Sequence, residues 1–176
     1  MRAFCLNNSA RIMTVFILLF LTVQMAGLAD EDPFQSAEGV VQELYDLVTF
    51  EAGTTPDWEK VRSLFIEQGV VVLRTSRQAT TVFSVQGFID DFVRFIDQAK
   101  VIETGFKEEI KRMNPMVFGD MATVLVLYEA SIPGKTMPPQ QGVDGFSLIR
   151  KDGRWWIVSI INEIPTPIRP IPKELE

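Results

Sequence analysis

The segment GRWWIVSIINEIP, Gly153 to Pro165, sets two tryptophans side by side in what reads as a β-strand. Successive side chains on a strand point to opposite faces, so Trp155 and Trp156 cannot share a pocket. A strand with a large ring on each side needs apolar cover front and back. That demand argues against a flat sheet with one face in water.

The rest of the chain supplies the cover. Val40, Val41, Leu44, Leu47 and Val48 recur at helical spacing, with Glu38, Gln42, Glu43 and Asp46 between them. Gly53 breaks that helix. A second follows, with Thr55 as the expected N-cap, Pro56 at its first position, and Trp58, Val61, Leu64 and Phe65 as its apolar stripe; Gly69 is expected to end it. VVVLRT (Val70 to Thr75) and TTVFSV read as a hairpin. A third helix carries Phe88, Ile89, Phe92, Phe95, Ile96 and Ala99 on one side. Strands follow: IETGFKEEIKRM, ATVLVLYEA, VDGFSLIR and RWWIVSIINEI, joined by NPMVFGD, PGKTMPPQQG and KDG. The pattern predicts an α+β fold, a curved antiparallel sheet packed on three helices. Pro165, Pro167, Pro170 and Pro172 then forbid a continuing helix or central strand, so residues 165–176 read as an extended Pro-rich tail.

Residues 1–29 read as a signal peptide: Arg2 and Arg11, the run IMTVFILLFLTV, then Gly27 and Ala29 at a small-residue exit. An uncleaved anchor is the alternative, but the run is short for a span and Thr14, Thr22 and Gln24 interrupt or flank it. The expectation is an exported protein, periplasmic or extracellular, with a folded domain over residues 30–164 and no membrane segment in the mature form. Cys5, the only cysteine, lies in the leader, so the domain is held by its core without a disulfide. The chain holds 23 acids and 17 bases; losing Arg2 and Arg11 leaves 15 bases and a net charge of −8. Such a surface repels nucleic acid. Histidine is absent. That removes the commonest general base near neutral pH and the commonest zinc ligand, and no metal or cofactor is expected.

The opening helix, DWEKVRSLF, the short hairpin, FIDDFVRFI, FGDMATVLVLYE and DGRWWIVSI together resemble the nuclear transport factor 2-like superfamily, whose members are also known as SnoaL-like domains. YEA…QGVDGFSLIRKDGRWWIVSI with PIRPIPKEL is similar to uncharacterised bacterial members. The resemblance implies a cone of curved sheet closed by helices, a cavity at its open end, and a homodimer through the sheet. It also implies an inward set of Trp156, Val158, Ile160 and Asn162, with Trp155, Ile157, Ser159 and Ile161 facing a partner or the tail. One β-bulge would exchange the two sets.

The mechanisms of familiar members lack their residues here. Ketosteroid isomerases use an Asp base and a protonated Asp. The resemblance sets Leu73 at the first place and Gly145 at the second, with Asp144 expected to point away. The dehydratases use a His-Asp pair, and there is no histidine. The remaining cavity candidates are polar residues whose bland readings stay open. Tyr45 matches an oxyanion tyrosine of related isomerases, or is a core tyrosine with its hydroxyl at the surface. Glu108 and Arg112, four apart, share a face of one strand, as a mouth pair or as exposed charges. Tyr128 and Glu129 point oppositely, and one of them faces inward. Arg74 stands at a hairpin end, and Asn162 would widen the cavity and offer a hydrogen-bonding handle. Two functions remain open. One is a binding or interaction module for a small hydrophobic molecule. The other is a cofactor-free isomerase, dehydratase or hydrolase working through a cavity carboxylate and a tyrosine.

Overall fold

The computed structural model describes residues 32–76 and 78–176. The expected leader lies outside the described residues. A 3-10 turn at Pro33–Gln35 leads into helix α1 (Ala37–Val48), α2 (Trp58–Ser63), the hairpin β1 (Phe65–Arg74) and β2 (Thr80–Ser84), and helix α3 (Val85–Ala99). Four long strands follow, β3 (Lys107–Phe118), β4 (Met121–Ser131), β5 (Gln140–Lys151) and β6 (Arg154–Glu163). They form one sheet in the order β2-β1-β6-β5-β4-β3, left unclosed at β2 and β3. Its pairs are antiparallel except β1 with β6, which run parallel. The sheet is therefore mixed.

Local chemistry explains the boundaries. Ser36 and Ser84 cap α1 and α3, each accepting the N–H of a glycine three residues on. Asp57, and not Thr55, caps α2 by accepting the Lys60 N–H. That helix stops at Ser63, six residues before Gly69, because Phe65 already pairs with Ile157 of β6. Strand β3 runs through Asn114 and Pro115, expected as a loop, to a two-residue turn at Gly119 and Asp120. A proline is tolerated there because β3 is an edge strand and one of its backbone edges has no neighbour to bond. Asp152 and Gly153, at φ 54° and 80°, make the turn from β5 to β6. Two positive φ angles in a two-residue loop match the twist of the strands they join.

The sheet's inner face meets the helices through cross-strand rows. Ala122, Leu148 and Ile157 form one row; Val124, Phe146 and Ile160 the next. They pack on Val40, Val41, Leu44, Val61, Leu64 and Ile89. A second cluster, Phe50, Ile96, Val101 and Phe106 with Phe92 and Phe95, fills the far end of α3.

Two bulges overturn the expected inward sets. Ser147 pairs with Ser159 but Leu148 pairs with Ile157, so Val158 is an extra residue in β6. Beyond it Ile160 and Asn162 face in, as expected. Before it the parity is reversed, and Trp155 and Ile157 are buried in the core at 5% and 0% exposure. Trp156, expected inside, donates its indole N–H to the Lys151 carbonyl and carries the Arg154 guanidinium 3.8 Å from its ring centre. The same guanidinium lies 3.5 Å from the Phe34 ring. Trp155 therefore needs neither a partner nor the tail as cover. Lys111 is the second extra residue: Ile110 pairs with Tyr128, but Arg112 pairs with Leu127.

After β6 the chain reverses at Thr166–Arg169 through two backbone hydrogen bonds of 2.9 Å. Arg169 pairs with Glu163 at 2.7 Å. The end of the chain packs on β3 and β4, with Leu175 only 1% exposed. Among the described residues, no helix is long and apolar enough to cross a membrane.

Candidate functional site

Between α1, α3 and the inner face of the sheet lies a cavity of about 220 Å³. Leu44, Val48, Val71, Leu73, Phe88, Phe92 and Ile160 make its apolar walls. Its polar end gathers Tyr45, Glu108, Tyr128, Asp144 and Asn162, with Arg74 and Gln140 also lining it.

Each polar side chain is brought there by the periodicity of its element. Tyr45 shares the buried stripe of α1 with Val41, Leu44 and Val48. Tyr128 follows Val124 and Val126 on the inner face of β4. Opposite it stands Gly142; a Cβ at that position would lie 2.3 Å from the Tyr128 ring and hydroxyl, so only glycine leaves the ring its place. Asp144 and Asn162 are direct cross-strand partners. Glu108 is fixed by Thr49, the residue after α1, whose hydroxyl donates to the Glu108 carbonyl at 3.1 Å and accepts its N–H at 3.0 Å.

One hydrogen-bonded chain links four of these groups. The Tyr45 hydroxyl donates to Asp144 Oδ2 at 2.7 Å. Asn162 Nδ2 donates to Asp144 Oδ1 at 2.7 Å and to the Tyr128 hydroxyl at 3.0 Å. Asp144 thus accepts on both oxygens, while the Tyr128 proton has no acceptor among the described residues. The Glu108 carboxyl has none of these bonds and no ion pair.

Burial dominates the electrostatics. It raises Asp144 to about 6, with the bonds from Tyr45 and Asn162 pulling the other way. Burial also raises Glu108 to about 8, helped by the neighbouring Asp144 charge. Burial and the same carboxylates push both tyrosines well above the ordinary phenol range, so their hydroxyls stay protonated as donors. Near neutral pH the polar end holds one carboxylate, one carboxylic acid and two phenols.

The structure thus brings Tyr45, Arg74, Glu108, Tyr128 and Asn162 together and leaves three expected residues elsewhere. Arg112 is exposed, because the extra residue Lys111 turns it to the outer face, so it shares no face with Glu108. Glu129 faces out, bonded to Lys111 at 3.2 Å and to Gln141 at 3.2 Å. Trp156 stacks on Arg154, outside the cavity lining. Arg74 reaches the lining, but its guanidinium is paired with Glu163. Leu73 carries no base, as expected.

Asp144 was expected to point away and instead stands at the centre of the network. The signal was in β5 itself: Asp144, Phe146 and Leu148 share one parity, and two of them are evident core residues. Alignment on Gly145 by resemblance pointed to the wrong neighbour.

No family model and no curated protein matches this sequence. Solved structures do match its shape. An NTF2-like protein of unknown function from Pseudomonas putida KT2440 superimposes with a TM-score of 0.57 at 10% identity, covering 79% of this chain and 92% of that one. An NTF2-like protein with a cystatin-like fold from Novosphingobium aromaticivorans gives 0.55 at 15% identity, covering 74% and 81%. The chain has the nuclear transport factor 2-like fold. A third structure of that shape, provisionally named a scytalone dehydratase and also from Novosphingobium aromaticivorans, gives 0.55 at 12% identity and covers 73% and 81%. At such identities the nuclear transport factor 2-like likeness speaks for architecture alone.

Proposed function

We infer that this protein binds a small, largely apolar molecule with one polar end, held inside the cone. One observation carries the reading: the cavity opposes a wall of Leu, Val, Ile and Phe to a single cluster of hydrogen-bonding groups. Apolar lining with a few converging polar groups is the usual make-up of a ligand site. About 220 Å³ is below the range for drug-sized ligands and suits a molecule with one ring. The Tyr128 hydroxyl proton, which has no acceptor among the described residues, and the Glu108 carboxyl, which has no donor among them, are the groups left to meet it. The N-terminal pattern of basic, apolar and small residues supports an exported protein. Saturation-transfer NMR with benzyl alcohol tests the reading. Binding is expected, and Leu73→Trp, which puts an indole at the cavity wall, should weaken it roughly tenfold or more. Absence of binding, or binding indifferent to Leu73→Trp, would count against the cone as a ligand site.

Glu108 favours a second reading, cofactor-free proton transfer on the bound molecule. A carboxyl near pKa 8 beside an apolar cavity can give and take a proton at neutral pH. The provisional dehydratase name of one fold neighbour lies in the same direction. Cyclohexanone in heavy water, followed by proton NMR, should lose its α-protons faster with the protein than with Glu108→Gln. Equal rates would leave binding as the whole function.

A further inference from the structure

We propose that the molecule taken by the cone is a small amine, its ammonium set between Asp144 and Glu108 and its apolar body against Phe88 and Phe92. This rests on the ligand-binding reading above and names the class of ligand.

The argument is one of missing countercharge. Two carboxyl groups line a single cavity, and neither makes an ion pair with any described residue. A buried carboxylate is ordinarily compensated by a cation, because isolated charge away from water is costly. Arg74, the one cation of the lining among the described residues, is turned to Glu163, which also holds Arg169. Asp144 is stabilised by two hydrogen bonds only, from Tyr45 and Asn162, and both of its donors are neutral. Glu108 lacks even these. The site is hydrogen-bonded for a carboxylate and lacks the positive charge that would balance it.

An ammonium supplies that charge together with donors that Glu108 can accept. The remaining walls fit the rest of such a molecule. Phe88 and Phe92 present aromatic rings to the same cavity, 6.0 Å apart between centroids and edge to face. A neutral alcohol or ketone would use the tyrosine but leave the Asp144 carboxylate without a countercharge. A carboxylate ligand would add a second negative group beside Asp144. Binding an ammonium at neutral pH should also drive the Glu108 proton into solvent.

Calorimetry with benzylamine, benzyl alcohol and benzoate, three ligands of one shape and different charge, tests this on the full chain. Benzylamine is expected to bind at least roughly tenfold tighter than benzyl alcohol near neutral pH. Its binding heat should depend on the buffer in the sense of proton release. In Asp144→Asn with Glu108→Gln the ratio of benzylamine to benzyl alcohol affinity should fall to about one. Should the double variant fail to unfold cooperatively, Glu108→Gln alone should lose the proton release and part of the preference. Benzyl alcohol binding as tightly as benzylamine overturns the amine assignment and leaves the ligand site standing. Tighter binding of benzoate also overturns it and points to Arg74 as the anchor. If none of the three binds, both readings fall.

Discussion

Raising the pH from about 5 to about 9 is expected to cost this protein on the order of 5 kcal/mol of folding stability. The source is the pair of cavity carboxyls. In the unfolded chain Glu108 and Asp144 ionise near 4.5 and 3.8; in the fold they ionise near 8 and 6. Between those values the folded state binds the protons and the unfolded state does not, so stability falls as pH rises. Glu108 alone gives a slope of about 1.4 kcal/mol per pH unit between roughly pH 6 and 8, with Asp144 adding to it below about pH 6. Urea titrations across this range should show the decline, and Glu108→Gln, which keeps the shape without the charge, should flatten it above about pH 6. A stability that rises through this window, or a variant as steep as the parent, would mean that Glu108 is solvated. The same linkage ties stability to ligand. An amine that pairs with the ionised carboxyls should restore most of the loss at high pH.

The second large effect separates the adjacent tryptophans. Trp155→Ala is expected to destabilise the fold by about 3–5 kcal/mol, because the indole sits at 5% exposure among the core residues of β5, β6 and the helices. Trp156→Ala should cost roughly 1 kcal/mol, the value of a partly exposed stack on Arg154 and one hydrogen bond. Denaturant unfolding of both variants at one pH measures the difference. Equal losses, or a larger loss from Trp156→Ala, would contradict the bulge at Val158 and restore the opposite parity.

That bulge also marks the limit of what could be read from the chain. The α1 stripe of Val40, Val41, Leu44 and Val48 and the turn at Asp152 and Gly153 are local patterns, and each appears where its spacing indicates. The site was legible in the same way where one element decided it. Tyr45 lies on an apolar helix stripe, and Tyr128 follows two valines of its own parity. Arg112 was misplaced because Lys111 adds one residue to β3 without a glycine or proline to announce it. Trp156 was misplaced for the same reason, through Val158. Asp144 was legible from Phe146 and Leu148, yet an aspartate among core residues looks like an error of phase until its partners are known.

From its own residues the chain determines three amphipathic helices, six strands, and the absence of histidine and thiol chemistry from the domain. Those are short-range matters, set by backbone preference and by the period with which apolar side chains recur. Only the tertiary structure decided which tryptophan is inside, that β1 runs parallel to β6, and that Tyr45, Asp144, Asn162 and Tyr128 share one network. Such groups lie far apart in the chain, Tyr45 and Asp144 being separated by 99 in sequence. Their meeting depends on strand register, and one inserted residue changes register without leaving a mark in composition or period.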